Sequence, residues 1–333
     1  MATIKDIARH AGVSTTVVSY VINNGPRPVA PETQARVREA MELLNYHPNA
    51  RAQQLARQHS NCIGLVFNGL SDSNFNSIYF SEYIRGIGFY AEKAGYNMML
   101  FLNREADFYQ RLGKMGLVDG VILSGSSLPI EGLAQLSTQA FPAVVIGQRV
   151  PNLAWVMQDY EGSAYNATSY LLSQGYRRIG FPSQSLSLSY GQDRLNGYRR
   201  ALAEAGIEID DSLISLPETP RDLPTTDEVR LILEAGADSI LTDKEGVITK
   251  ILNQLGVDVP EDIGLIGLDE EPSGTSPVAL GTTSVPKFEM GLVAAETLID
   301  LIMKRPDTDI HRILPLRLVI NDTFRGEKGE SSS

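Results

Sequence analysis

The 333-residue chain has one cysteine, Cys62, and only four histidines, and both shortages exclude chemistry. A single thiol cannot close an internal disulfide, and because Cys62 begins an apolar run it reads as a buried thiol, not a reactive one. Three of the four histidines fall in the first 59 residues, and no His-x-Glu or Cys-x-x-Cys spacing occurs, so no metal site is expected. No Gly-x-Gly-x-x-Gly or Walker sequence follows the first apolar strand, which removes the usual phosphate cradles and leaves no cofactor to expect. No stretch approaches the ~18 apolar residues that span a bilayer. With no apolar signal region at the N-terminus, the expectation is a cytoplasmic protein without a membrane partner. Glu270 and Glu271 adjoin Asp269, and paired carboxylates can hydrolyse glycosides, but sequence neighbours do not converge on one bond. The chain therefore reads as a non-enzyme with no catalytic residue.

What is present is a core-forming composition with an uneven charge. At 43% hydrophobic the chain is long enough for two or three domains with real cores. Residues 1–58 hold seven Lys or Arg against four acids, about +3, whereas the whole chain carries -11, which leaves about -14 for the remainder. A basic head on an acidic body confines contact with a polyanion to the head.

The head carries three apolar patterns in a row. Ile4, Ile7, Ala8 and Ala11 fall on one face of a first helix, opened by Thr3 with Asp6 three residues on in capping-box style and stopped by Gly12. Ser14 caps a second helix whose inward stripe is Val17, Val18, Val21 and Ile22, leaving Thr15, Thr16, Ser19, Tyr20 and Asn23 outward. Val37, Ala40, Met41 and Leu44 give a third helix that closes a small core. A helix, a tight turn with glycine and a second helix with a hydrogen-bonding outer face is the helix-turn-helix plan, whose second helix enters the major groove.

Asn45-Tyr46-His47-Pro48-Asn49 follows, and then an alanine- and glutamine-rich stalk. Pro48 ends the third helix and Asn49 is placed to cap the next. A helix of under about ten residues is marginal alone, so the stalk is expected to order on DNA or against a twin from a second subunit. Leu55, apolar near the tip of a basic stalk, suits a wedge between base steps in the minor groove.

From Cys62 onward, apolar strand candidates alternate with helical patterns: Cys62 to Phe67, Tyr96 to Phe101, Gly120 to Leu123, Ala143 to Gly147, Arg178 to Phe181, Ser239 to Thr242 and Ile263 to Leu268. Several helices end in a glycine followed by an apolar residue, as at Gly95-Tyr96 and Gly256-Val257, the signature of a left-handed cap. Such alternation means parallel sheets covered by helices on both faces, and its length fits two lobes. Ligands of such sheets bind at the carboxyl ends of strands, and two facing lobes make a cleft. The pocket candidates are therefore Asp72, Asn74, Phe75, Ser124, Arg149, Asp243 and Asp269, with Arg194 opening a helix after a loop that contains Tyr190. Carboxylates, an amide, guanidinium groups and aromatics at strand ends suit a polyhydroxylated ligand.

These residues resemble the lac repressor / gal repressor family of bacterial transcription regulators. The resemblance rests on Thr3-Ile4-Lys5-Asp6-Ile7-Ala8, Ala11-Gly12-Val13-Ser14, Val21-Ile22-Asn23, Asn45 to Asn49 with Ala52-Gln53-Gln54-Leu55-Ala56, Asp159 with Gly162, Arg194 with Gly197-Tyr198, and Gly267-Leu268-Asp269. It implies a small all-α helix-turn-helix DNA-binding head at 1–46, a hinge helix at 47–59 and an α/β body at 60–333. The body would hold two doubly wound parallel-sheet lobes resembling periplasmic sugar-binding proteins, the first at 60–158 and 286–316, the second at 160–284 and 317–330. It further implies that positions matching Thr15, Thr16 and Tyr20 read bases, those matching Ser14, Ser19 and Asn23 touch phosphates, and that matching Leu55 opens the operator's central step. Thr3, Asn49 and Ala52 complete the implied DNA-facing set, and Ser124, Asp159, Arg194, Asp243 and Asp269 the effector-facing one. Tyr20 stands where many relatives have Arg, so bidentate guanine reading is not expected there. Ala30 stands where a capping Ser is usual.

The expectation is a sequence-specific DNA-binding repressor acting as a homodimer, with a tetramer the larger alternative, that dimerises along the first lobe including Ile78 to Ala94. It would read a pseudo-palindromic double-stranded operator under control of a small-molecule effector, a sugar or sugar derivative, with the sign of the effect left open. The rival reading is a cytoplasmic solute-binding protein without regulatory DNA binding; the absent export signal and the basic head count against it.

Overall fold

The structure is a computed structural model that describes residues 2–23, 25, 27–46, 59–67, 78–102, 108–124, 133, 136–183, 189–215, 223–268 and 281–320. The chain divides into two compact units, Met1–Asn61 and Cys62–Ser333.

The first unit holds helices α1 (Ile4–Ala11), α2 (Thr15–Asn23) and α3 (Pro31–Leu43). Thr3 and Asp6 form a reciprocal capping box, with the Thr3 N–H donating to the Asp6 carboxylate at 2.9 Å. Hydrogen bonds from the Thr3 hydroxyl and then the Thr3 backbone hold the Asp6 carboxyl below the ordinary carboxylate value. Gly12 ends α1 at φ 66°, a left-handed conformation that costs glycine no Cβ clash. The Val13 N–H then returns to the Ala8 carbonyl at 3.0 Å, closing the helix end. Ser14 Oγ accepts from the Val17 N–H at 3.2 Å and so caps α2. By contrast α3 starts at Pro31 behind Ala30, which supplies no side-chain cap. Ile7, Ala8, Ala11, Val18, Val37 and Ala40 make the buried core, with Val21, Ile22, Met41 and Leu44 packed on it. One expectation changes. Val17 is only half-buried and lies outside that cluster. Val13 joins the core in its place, because the closure at Gly12 folds the next residue back onto α1.

The second unit contains two sheets among its described residues. Strands β1 (Cys62–Phe67), β2 (Asn97–Leu102), β3 (Gly120–Ser124), β4 (Ala143–Ile146), β5 (Ala154–Gln158) and β11 (His311–Leu314) lie in the order β2-β1-β3-β4-β5-β11, all parallel. Strands β6 (Ile179–Pro182), β7 (Ile214–Ser215), β8 (Ser239–Thr242), β9 (Gly264–Gly267), β10 (Gly281–Ser284) and β12 (Arg317–Ile320) lie in the order β7-β6-β8-β9-β10-β12. Here β12 runs antiparallel to β10 while the other pairings are parallel. Only Pro315 and Leu316 separate β11 of the first sheet from β12 of the second.

Helices cover both faces of each sheet, which is why β1, β3 and β4 are buried at every residue. On the first sheet, α4 (Ile78–Lys93) and α10 (Lys287–Ile302) pack on one face and α5 (Phe108–Leu112) on the other. On the second, α6 (Tyr160–Ser173) and α7 (Ser189–Glu204) oppose α8 (Thr226–Glu234) and α9 (Glu245–Leu255). The paired helices touch backbone to backbone at glycines: a Cβ on Gly86 of α4 would collide with the Phe288 carbonyl of α10, and one on Gly197 of α7 with the Glu161 carbonyl of α6. The chain passes between the sheets three times, at Asp159, at Val285 and Pro286, and at Pro315 and Leu316. These passages make two lobes, each built from distant stretches of sequence.

Candidate functional site

The outer face of α2 is built from short polar side chains. Thr15 and Thr16 are exposed in its first turn, where no acidic residue stands against a phosphate. Ser14 is exposed too, with its oxygen engaged as the cap. One turn on, the Asn23 amide donates to Ser19 Oγ at 3.3 Å, so these two side chains hold each other in place. Asn23 Oδ1 is buried with no partner among the described residues. Tyr20 is half-buried and does not simply face outward: its ring lies where a Cβ on Gly25 would be, and the Gly25 N–H donates to the Tyr20 carbonyl at 3.0 Å. The ring therefore braces the end of α2 against the chain leaving it. Thr3 is committed to Asp6 through both its N–H and its hydroxyl. Asn49, Ala52 and Leu55, with the hinge helix, lie outside the described residues.

In the body, the carboxyl ends of the strands gather a charged and aromatic cluster. Arg194 is 3% exposed, and its Nη1 donates to Asp243 Oδ2 at 2.9 Å. Its guanidinium lies 4.9 Å from the ring centre of Tyr160 and 5.2 Å from that of Tyr190, and the two rings are 5.6 Å apart. Two aromatic faces and a carboxylate thus offset the cost of burying the cation. Tyr190 does not lie in a loop before the helix, as the sequence suggests; α7 begins at Ser189 and contains both residues. Four residues apart, they share a helix face, and the ring's contact with the guanidinium favours the extra turn.

Asp243 follows β8, and Thr242 Oγ1 donates to the Pro182 carbonyl at 3.0 Å, tying the ends of β8 and β6 together. Ser124 is buried as the last residue of β3. Arg149, after β4, places Nη1 3.0 Å and 2.8 Å from the two oxygens of Asp193 on α7. Asp159 stands at the first passage between lobes, where its carboxylate accepts from the Gly162 N–H at 2.9 Å and its own N–H donates to the Leu314 carbonyl at 2.8 Å. That carboxylate is the cap of α6. Asp72, Asn74, Phe75 and Asp269 lie outside the described residues.

The structure thus brings together Arg194, Asp243 and Tyr190, and adds three residues that spacing did not reveal. Tyr160 and Asp193 each sit beside a residue singled out in the sequence, Asp159 and Arg194. Glu245, in the first turn of α9, sets its carboxylate where a Cβ on Gly267 would collide with it, beside the end of β9. A buried guanidinium between aromatic faces, with carboxylates at neighbouring strand ends, offers paired acceptors and flat apolar surfaces to a small ligand. Among the described residues no group of three or more His, Cys, Asp or Glu is placed to hold a metal ion, and no helix is long and apolar enough to cross a membrane.

Comparison with known proteins assigns both units. The profile of bacterial regulatory proteins of the lacI family matches residues 3–49. That of periplasmic binding proteins and sugar binding domain of the LacI family matches residues 60–222, and that of a periplasmic binding protein-like domain residues 168–324. The chain is 34% identical over 338 residues to the HTH-type transcriptional regulator GalR of Escherichia coli strain K12, across 96% of this chain and 94% of that protein. It is 32% identical to the HTH-type transcriptional repressor PurR of Vibrio atlanticus, across 91% of this chain and 92% of that protein. Among solved structures it is similar to the transcriptional regulator CelR in complex with cellobiose, at 26% identity and a TM-score of 0.67 over 96% of this chain and 99% of that one. A head built on the helix-turn-helix plan and a two-lobed body, matched along nearly the whole length, leave one conclusion: the chain belongs to the lacI family of bacterial regulatory proteins and is a DNA-binding transcriptional regulator.

Proposed function

We propose that this regulator is a repressor that binds a pseudo-palindromic operator as a homodimer in the cytoplasm, and that a sugar or sugar derivative held between the lobes changes its operator affinity. Thr15 and Thr16 read bases, Ser14, Ser19 and Asn23 face phosphates, and Leu55 is the minor-groove wedge. Tyr20 meets the DNA with the exposed edge of its ring while its other face stays on Gly25. No step of this function is catalytic.

The observation that carries the ligand reading is the Arg194 guanidinium fixed to Asp243 between Tyr160 and Tyr190. Carboxylates and guanidinium groups bind hydroxyl pairs, and aromatic faces cover the apolar side of a sugar ring. The solved CelR complex holds cellobiose, which supports a sugar, and nucleobases such as purines are the competing class.

A thermal-shift screen of the full chain against neutral sugars, sugar phosphates and purines tests the ligand. A sugar that raises the melting temperature and changes operator affinity supports the reading; a response to purines alone replaces it. For the DNA, titration against the gene's own upstream region and a scrambled copy should show a preference that weakens as salt rises. Equal binding to both would end the operator reading.

A further inference from the structure

We infer that Arg149 and Asp193 form a latch between the two lobes, so that Arg149 holds the body in one arrangement instead of binding the effector. Arg149 belongs to the segment between β4 and β5 of the first sheet, and Asp193 to α7 on the second. Both Asp193 oxygens lie within hydrogen-bond distance of Arg149 Nη1, at 2.8 and 3.0 Å. Other ion pairs, such as Arg178 with Asp210 and Arg305 with Asp300, stay within one lobe and carry no information about how the lobes stand to each other.

Three features suit the pair to switching. The side chains are 43% and 15% exposed, so water and salt reach the contact and its strength is modest. A small gap between two arrangements is what a ligand of ordinary affinity can overturn. Arg149 also has a second seat on its own lobe: its guanidinium lies 5.9 Å from the Trp155 ring centre, and that ring is stacked on His311 at 4.6 Å. An arginine leaving Asp193 keeps a cation–π contact there. Finally, Asp193 precedes Arg194 on the same helix and lies three residues after Tyr190, so a movement that parts Asp193 from Arg149 carries the aromatic and guanidinium groups of the cleft with it. The latch concerns the regulation of the proposed effector site and rests on that reading only where lobe arrangement is linked to DNA.

Pulsed electron spin resonance on the full chain tests the latch without an effector. Nitroxide labels go on the exposed Glu92 of the first lobe and Lys250 of the second, in a Cys62→Ala background. Arg149→Gln and Asp193→Asn should each shift the population of lobe–lobe distances by up to about fivefold, and raising salt from about 0.05 M to about 0.5 M should move the parent the same way. The exchanged pair, Arg149→Asp with Asp193→Arg, should restore the parent distribution. Unchanged distances in both single variants, or an exchanged pair that behaves like them, would overturn the latch. Operator titration on the same proteins separates the two ideas. Shifted distances with unchanged operator affinity leave the latch standing and refute the coupling of lobe arrangement to DNA.

Discussion

Arg194 illustrates how burial changes the meaning of a residue that spacing marks as a ligand contact. At 3% exposure and bonded to Asp243, it is as much a structural group as a recognition one. Arg194→Ala would leave the Asp243 carboxylate buried without its guanidinium, and removal of one partner of a buried pair costs about 3–5 kcal/mol. The expected outcome is a lower melting temperature of the body together with a lost effector response, measured by calorimetry and ligand titration. Tyr190→Leu, which keeps the ion pair, should lose ligand affinity with little loss of stability. Equal melting temperatures for Arg194→Ala and the parent would show that the pair holds nothing. In the head, the Asp6 carboxyl titrates below its ordinary value of 3.8 because the Thr3 hydroxyl and N–H bind its charged form. A depressed folded value means that the cap's contribution is complete above the unfolded value and fades as pH falls through the folded one. The Thr3 amide shift followed by NMR should therefore move with a midpoint below 3.8, and Asp6→Asn should abolish that movement. Thr3 and Asp6 were legible in sequence because a capping box is local. Asp193 was not, since its partner stands 44 residues earlier in the chain and in another lobe.

Among the elements, legibility followed the same division between local and distant causes. Strands β1 and β4 lie where continuous apolar runs place them, because both are buried and flanked by helices. Strand β10 was invisible: Gly281-Thr282-Thr283-Ser284 has no apolar residue, and a Cβ on Gly281 would press within 2.7 Å of the Val319 carbonyl of β12. Small residues stand there to admit a neighbouring strand, a demand that comes from a segment 38 residues away. Edge strands β11 and β12 mix charged and apolar residues because one side of each meets solvent. The matching of Gly197 with Tyr198 to the family pattern has a packing cause as well. Gly197 lets α7 lie on the backbone of α6, and Tyr198 is buried with its hydroxyl donating to the Ile179 carbonyl at 2.8 Å. Burial pushes the Tyr198 phenol well above its ordinary value, so that donor is kept at any working pH. Gly197→Ala must part the two helices, an overpacking cost of about 1–3 kcal/mol. Chemical denaturation should show that loss without a change in the helical content of the native state, whereas an unchanged midpoint would mean that α6 and α7 are not in close contact.

At the scale of the whole molecule, charge and exposed apolar surface divide the labour between regions. The acidic body repels DNA, so binding must be carried by a head whose excess is only about +3. So small a charge gives one head little hold on DNA, and joining two heads multiplies affinity by converting the second contact into an intramolecular one. The surface best placed to join two chains is the edge of the first sheet. Met98, Leu100 and Leu102 alternate along β2 with 38%, 41% and 62% exposure, and Phe89 of α4 is 57% exposed. Strand β2 carries neither charge nor proline, the devices by which an edge strand stays solitary. A second copy laid along β2 and α4 would cover these side chains and bring two identical heads to one operator. Leu100→Glu with Leu102→Glu puts two charges into that surface while leaving Met99 and Phe101, the half-buried face of β2 that packs on the core, alone. Sedimentation equilibrium should then report a monomer, and operator affinity should fall by at least about tenfold as the second half-site becomes a separate binding event. A doubly substituted protein that still sediments as a dimer would place the interface elsewhere, and a monomer that keeps full operator affinity would mean that one head suffices.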